Sequence, residues 1–221
     1  MWVKICGITS LEAANWAFEA GADAIGFVFA PSRRRIAPEQ AREIIGGLPP
    51  GLERIGVFVD EEPSRVNEIA AFCGLTMVQL HGSESPEYLK AIERPIIKAV
   101  HLASPGRPAE ARDRGMNAIE GTETRYGPDA FPEAAAVLVE PRVEGQGGGS
   151  GKAWDWSRAR KLFPGRRLIL AGGLNPGNVA VAISEANPWG VDVSSGVEEN
   201  GQKDYCKIVD FVARARSSNE L

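Results

Sequence analysis

The sequence predicts an α/β protein, a single (β/α)8 TIM barrel running through residues 1–221. Three observations predict it. Short apolar runs alternate with helix-like segments roughly eight times, a pattern that closes as a parallel barrel more naturally than as an open sheet. Several of those runs are continuously apolar, as strands covered on both faces are. Two small-residue turns, Gly172-Gly173 and Ser194-Ser195-Gly196, each end an apolar run and stand one helix apart. Barrels of this class commonly build a phosphate site from the loops after strands 7 and 8.

In chain order, residues 2–6 form the first strand and 7–10 turn it. Thr9 or Ser10 caps a helix through Ala20, with Glu12 in its first turn. Gly21-Ala22-Asp23 leads back into a second strand over 24–29, and 31–35 is a loop carrying Arg33, Arg34 and Arg35. Pro38-Glu39 opens the second helix, which stops before Gly46-Gly47. The third strand and helix fall at 55–59 and 63–72, the fourth at 77–80 and 86–92, and the fifth strand at 96–100.

Segment 104–133 mixes proline, glycine and charge with weak periodicity. It is expected to hold the fifth helix, at 108–114, and an irregular or inserted piece; so long an unstructured stretch is uncommon in a compact domain. The sixth strand is placed at 136–139, followed by a glycine-rich loop at 145–151 and a helix that runs from Trp154-Asp155-Trp156 to Phe163. The seventh strand covers 168–171. Asn175-Pro176 opens a helix with Val179, Ala182 and Ile183 on one face. The eighth strand covers 191–193, and a closing helix spans 205–214. No linker or domain boundary interrupts this order.

The composition narrows the function classes. Apolar residues make up 43% of the chain, enough for a sizeable core, and the formal net charge is −4. That balance argues against a nucleic-acid partner or a basic membrane-binding face. No apolar run approaches the ~20 residues of a membrane span, and the start reads as a strand rather than a signal peptide. Cys6, Cys73 and Cys206 make no CxxC pair, and with only two histidines they offer no metal pattern. An odd, sparse cysteine count suits a reducing cytoplasm. Cys73 and Cys206 read as structural. The outer helices show no unusual apolar stripe, so a monomer and a homodimer both fit.

Chemistry in such a barrel belongs to polar residues at the carboxyl ends of strands. These are Cys6, Arg34 just beyond strand two, Gln79 and His81 at strand four, Glu140 at strand six and Asp192 at strand eight. The phosphate cup faces the same mouth: Gly172 and Gly173 let the backbone approach a ligand, consecutive amides point at an anion, and Ser194 and Ser195 add hydroxyls beside Gly196. A short helix starting near Ser195 would aim its positive end there.

Each residue also has a bland reading. Cys6 can be an apolar filler, although a thiolate beside positive charge can act as base or nucleophile. Glu140 can form a salt bridge with Arg142 or Arg34. Arg34 can belong to a solvated run, and His81 can be a hydrogen-bonded structural residue. His101 carries no assignment. Phosphate, a thiol and a carboxyl group on one rim suggest acid–base work on a sugar phosphate. No GxGxxG fingerprint follows a strand, which speaks against hydride chemistry.

Six stretches carry a resemblance across nearly the whole chain, in order: Val3 through Thr9 (VKICGIT), Gly21 through Phe29, Val78 through Gly82 (VQLHG), Gly148 through Lys152 with Asp155-Trp156, Leu170 through Pro176, and Val191 through Glu198 (VDVSSGVE). The sequence resembles the phosphoribosylanthranilate isomerases, β/α-barrel enzymes of tryptophan biosynthesis. The resemblance implies an Amadori rearrangement of N-(5-phosphoribosyl)anthranilate to 1-(o-carboxyphenylamino)-1-deoxyribulose 5-phosphate, with no cofactor and no metal. It makes Cys6 the base that takes the proton from C2 of the opened sugar. A carboxylic acid ending strand six protonates the ring oxygen. Arg34 meets the anthranilate carboxylate, with Arg33 and Arg35 as alternatives by a one-residue slip, and Gln79 and His81 lie on the same side. Phosphate sits on Gly172, Gly173, Ser194, Ser195 and Gly196, with Asp192 in support.

The chain departs from the family at two points. The acid position holds Glu140 where aspartate is usual, with Glu144 the weaker stand-in, and segment 104–133 is longer and less regular. Restoring aspartate at position 140 is expected to keep substantial activity. A relative that binds phosphosugars without turning them over is the main alternative reading.

Overall fold

A computed structural model of the protein describes residues 1–102, 131–141 and 155–218. Eight parallel strands pair in chain order and close on themselves: β1 Trp2–Cys6, β2 Ala24–Val28, β3 Glu53–Phe58, β4 Met77–Leu80, β5 Ile96–Leu102, β6 Ala134–Pro141, β7 Leu168–Leu170 and β8 Gly190–Val193. The ring is sealed where β1 meets β8, with Lys4 opposite Asp192. Around it run α1 Leu11–Glu19, α2 Pro38–Gly46, α3 Pro63–Cys73, α4 Pro86–Leu89, α5 Ser157–Leu162, α6 Val179–Ala186 and α7 Tyr205–Ser217.

Local chemistry sets the helix starts. The Ser10 side chain accepts from the Ala13 amide and caps α1, and the Asp204 side chain does the same for α7 from the Lys207 amide. Proline sits in the first turn of α2, α3 and α4, where its missing N–H costs nothing. The helix expected from Asn175 begins only at Val179. Before it, the Asn175 amide donates to Asn178 Oδ1 (2.8 Å) and the Gly177 amide to Asn175 Oδ1 (2.8 Å). Asparagine side chains thus take backbone partners that a helix would otherwise use. Helix α4 is shorter than expected, ending at Leu89, and the helix expected near Ser195 is a 3-10 turn of three residues, Ser195–Val197. A two-stranded ribbon not expected from sequence, β9 Glu198–Glu199 with β10 Gln202–Lys203, follows it. The helix expected at 108–114 and the loop at 145–151 lie outside the described residues.

Side chains alternate between two cores, as the two-residue period of a strand demands. The larger core fills the layer between barrel and helices, with Val3, Ile5, Ile25, Phe27, Val78, Leu80, Val137 and Val139 pointing outward into it. The smaller one fills the barrel from Ala24, Ile55, Ile97, Ala99, Ala136, Leu138, Ile169 and Ala171. Half of those eight are alanines, which leaves room for polar side chains: Lys4 (0% exposed), Gln79 (1%) and Asp192 (8%) complete the interior. Strands β5 and β6 both extend past the expected ends, which brings His101 opposite Glu140 in register.

Candidate active site

The interior parity of each strand decides what reaches the mouth. On β1 Lys4 and Cys6 share a side; on β4 and just beyond it Gln79 and His81; on β5 Ile97, Ala99 and His101; on β6 Ala136, Leu138 and Glu140. The last inward residue of each set is the one at the carboxyl end, where such barrels place their chemistry.

These residues form a connected line. Lys4 Nζ donates to Gln79 Oε1 (2.7 Å), Gln79 Nε2 meets His81 Nδ1 (2.8 Å), and His81 Nε2 meets Glu140 Oε1 (2.7 Å). His101 Nε2 lies 3.2 Å from the same oxygen, its ring set edge-on to His81 with centroids 5.2 Å apart. At the other end Lys4 pairs with Asp192 Oδ1 (3.2 Å) and hydrogen-bonds Cys6. The thiol of Cys6 and the carboxylate of Glu140 are thus the two ends of one polar path across the barrel.

Polarity along this path follows from Lys4. An ammonium only donates, so Gln79 must turn its oxygen toward Lys4 and its NH2 toward His81. His81 Nδ1 therefore accepts, and Nε2 carries the proton given to Glu140. The same fact bears on metals. The facing atoms of His81, His101 and Glu140 lie within 4.8 Å of one another. A metal-bound imidazole turns its other nitrogen, as N–H, toward an acceptor, whereas His81 Nδ1 faces a donor. The donor set does not fit a metal ion.

Burial alone would raise the Glu140 carboxyl. The neighbouring His81, and hydrogen bonds from His101 and His81, outweigh it and hold the group well below the usual carboxylate range. Burial pushes the Cys6 thiol up; Lys4 and Lys203 oppose this, and Asp192 adds to it. Lys4 is itself raised despite burial, because Asp192 and Cys6 favour its charge.

Arg34 stands at the mouth, 9% exposed, but Glu198 grips one edge of its fork: Nε to Oε1 at 2.6 Å and Nη2 to Oε2 at 2.9 Å. Lys203 Nζ joins the same carboxylate (2.8 Å) and also reaches the Ser194 carbonyl (3.0 Å). Arg34 and Lys203 overcome burial and hold Glu198 at about 2. Glu140 takes neither partner that the structural reading offered: Arg34 is on Glu198, and Arg142, like Glu144, lies outside the described residues.

The two turns of the cup come together as expected. Gly172 has φ +80°, and a Cβ there would strike Pro141 Cδ at 2.4 Å, so β7 ends tight against the end of β6. At Gly196 a Cβ would lie 1.8 Å from the Leu174 carbonyl oxygen, so the turns after β7 and β8 touch through backbone alone. Ser194 differs from expectation: its hydroxyl donates to the Cys6 carbonyl (3.1 Å), tying the turn after β8 to the end of β1. Gly173 and Ser195 lie at the same rim. Cys73 is buried, its Sγ 3.3 Å from the Pro38 carbonyl, while Cys206 is exposed on α7 rather than packed.

Sequence reasoning passed over His101, Lys4, Glu198 and Lys203. The signal for His101 was present. Continuing the inward alternation Ile97, Ala99 one step further reaches it, but a polar residue at 101 ends the apolar run from which the strand is read. Lys4 could have been found by the same count, two residues before Cys6.

An α/β barrel with a thiol and a carboxylate joined across its mouth, beside two touching glycine-built turns, is the architecture of an acid–base isomerase of phosphorylated sugars. Comparison with known proteins agrees. The family model for N-(5'-phosphoribosyl)anthranilate (PRA) isomerase matches residues 3–214. The N-(5'-phosphoribosyl)anthranilate isomerase of Desulforudis audaxviator is 48% identical over 216 residues, covering 98% of both chains. The crystal structure of the Thermus thermophilus phosphoribosyl anthranilate isomerase superposes with a TM-score of 0.80 at 40% identity, covering 98% of this chain and 99% of that one. Another isomerase, solved in complex with reduced 1-(o-carboxyphenylamino)-1-deoxyribulose 5-phosphate, matches with a TM-score of 0.74 at 38% identity, covering 98% of this chain and 99% of that one. The chain belongs to the N-(5'-phosphoribosyl)anthranilate isomerase family, enzymes of tryptophan biosynthesis. Among the described residues no helix is long and apolar enough to cross a membrane.

Proposed function

We propose that this chain converts N-(5'-phosphoribosyl)anthranilate to 1-(o-carboxyphenylamino)-1-deoxyribulose 5-phosphate, with Cys6 as base and Glu140 as the group that delivers the acid's proton. The observation that carries the reading is the path Cys6–Lys4–Gln79–His81–Glu140, which sets both reacting groups on the inner rim of one mouth. Protonation of the furanose oxygen breaks the C1–O bond, and its electron pair goes to that oxygen. The charge moves to the anthranilate nitrogen as an iminium. Cys6 then removes the C2 proton, and the enolamine takes a proton at C1 and loses the one on the C2 hydroxyl to give the ketone. A positioned proton donor or acceptor contributes typically 10²–10⁴-fold.

Amides of Gly172, Gly173, Ser195 and Gly196, with the Ser194 backbone, hold the phosphate. Asp192 supports the base end by keeping Lys4 charged. Arg34, fixed on one edge by Glu198, turns its remaining edge to the anthranilate carboxylate; His81 borders that side, and Gln79 acts through it. Lys4 and Lys203, both beside Cys6, favour the thiolate that the second step requires. The residues 1–221 work as one barrel in the cytoplasm, as a monomer or a homodimer, on a small phosphosugar, with no cofactor, nucleic-acid or membrane partner.

Turnover of the ribosyl-anthranilate substrate by the wild type, Cys6→Ala and Glu140→Ala tests this. The reading expects an active wild type and a loss of at least a hundredfold in each variant. A wild type without turnover, or a Cys6→Ala enzyme with full turnover, removes it.

A further inference from the structure

Glu140 presents a difficulty to its own assignment. A carboxylate that accepts N–H hydrogen bonds from two rings is stabilised in its ionised form and has no proton of its own to give. Its Oε1 is shared by two imidazoles, at 2.7 and 3.2 Å, and the two are not equivalent. His81 cannot take up a second proton without turning an N–H against the NH2 of Gln79, whose orientation Lys4 fixes. Among the described residues no such restraint acts on His101: it ends the inward row of β5, sits directly opposite Glu140 in register, and is 31% exposed in its side chain.

We propose that the acid of this enzyme is a Glu140–His101 couple, in which His101 holds the proton that Glu140 passes to the substrate, while His81 remains neutral and fixes the carboxylate. This rests on the reading of Glu140 given above. In the first step the proton leaves His101 Nε2 for Glu140 and goes from Glu140 to the furanose oxygen as the C1–O bond breaks; His101 is left neutral and is recharged from solvent at the mouth. Glu140 is the catalytic residue, and His101 is a positioning residue that acts through it. The groups that face His101 are Glu140 from β6 and His81 just beyond β4. Further off, Lys98 on its own strand is taken up by Glu84 at 2.7 Å, and Lys4 with Asp192 and Cys6 stands beyond Gln79. Glu140 is thus the one anion in contact with the ring among the described residues. The arrangement also gives the longer acid a purpose: it spans from the end of β6 to both imidazoles at once.

The chain has only two histidines, so ring resonances can be assigned by replacing either one. In the free enzyme at pH 7, nitrogen-15 spectra are expected to show His81 as the neutral Nε2–H tautomer and His101 with a proton on both ring nitrogens, one of which is lost in Glu140→Gln. His101→Gln keeps an N–H for Glu140 but cannot store a proton. It is expected to lower kcat/KM at least tenfold at pH 7 with KM within twofold, and to lose one limb of the wild-type pH profile, while the thermal midpoint is unchanged. A His101→Gln enzyme with wild-type kcat/KM and an unaltered profile, alongside a dead Glu140→Gln, overturns the couple and leaves Glu140 as sole acid. A fully active Glu140→Gln overturns the acid assignment itself. A doubly protonated His81, or a His101 protonation state indifferent to Glu140→Gln, overturns the division of roles.

Discussion

Lys4 Nζ donates to Gln79 Oε1 across the barrel at 2.7 Å, and that bond sets the direction of every hydrogen bond from there to Glu140. Lys4 is fully buried, with Asp192 as its counter-charge at 3.2 Å. Removing one partner of a buried ion pair strands the other and costs about 3–5 kcal/mol, while replacing both by apolar groups is often neutral. Lys4→Met is therefore expected to lower the unfolding free energy by roughly 3 kcal/mol and, by freeing the Gln79 amide to turn, to reduce kcat. Lys4→Met combined with Asp192→Leu should recover most of the stability without the activity. Urea unfolding of the two single variants and the double variant checks this, and additive losses would show that the pair is not the origin.

Glu198 gives the fold an acid-sensitive clasp. Arg34 and Lys203 depress its carboxyl from the ordinary 4.5 to about 2, against the opposing effect of burial. A folded-state pKa below the unfolded one contributes stability above the unfolded value and loses it as pH falls through the folded value. The contribution is thus complete above 4.5 and disappears toward 2. Glu198→Gln should be less stable than the wild type at neutral pH, and the gap should narrow from about pH 5 to about pH 3. Parallel denaturant curves at these pH values test it; a gap that stays constant would place the effect in packing instead.

Arg34→Lys separates the two duties of this side chain. Lysine keeps the charge but not the fork that holds Glu198 at Nε and Nη2 together. The expected outcome is a KM raised by about tenfold, the order of one lost charge-assisted hydrogen bond, with kcat less affected. Steady-state kinetics read this directly, and an unchanged KM would put the anthranilate carboxylate elsewhere on the rim.

Which parts were legible follows from the physics of each. Strand order and closure came through because continuous apolar runs such as 24–28 and 136–139 mark strands buried on both faces. The meeting of the turns after β7 and β8 came through because Gly172 and Gly196 occupy places that no side chain can. The ends of β5 and β6 did not, because residues 101 and 140 are polar and end an apolar count, although the inward alternation continues through both. The grip of Glu198 on Arg34 was hidden for another reason: 164 residues separate them, and only barrel closure brings the loop after β2 beside the ribbon after β8.

From the sequence alone, restoring aspartate at position 140 looks mild, since the carboxyl group is kept. The geometry raises the expected cost. Oε1 of Glu140 reaches both His81 Nε2 and His101 Nε2, and one methylene fewer withdraws it by about 1 Å, a displacement that can cost on the order of a hundredfold in rate. Glu140→Asp is expected to reduce kcat by ten- to a hundredfold on that principle, with KM nearly unchanged, because Arg34 and the turns after β7 and β8, proposed to hold the two anionic ends of the substrate, stay in place. If the aspartate enzyme keeps its full kcat, the backbone at the end of β6 yields enough to restore the contacts, and the two imidazoles do not depend on the longer side chain.

At the opposite rim, Gly196 sits where the turns after β7 and β8 press together, and an alanine Cβ would fall 1.8 Å from the Leu174 carbonyl oxygen. Backbone cannot yield as a flexible side-chain tip can, so Gly196→Ala must push the Ser195–Val197 turn away from Leu174. The amides assigned to phosphate then lose their common focus, while Cys6 and Glu140, on β1 and β6, keep theirs. The expected result is a KM at least tenfold higher and weaker competitive inhibition by inorganic phosphate, with the wild-type pH profile retained. Kinetics with and without added phosphate decide it: if Gly196→Ala binds substrate and phosphate as the wild type does, the anion is held somewhere other than this pair of turns.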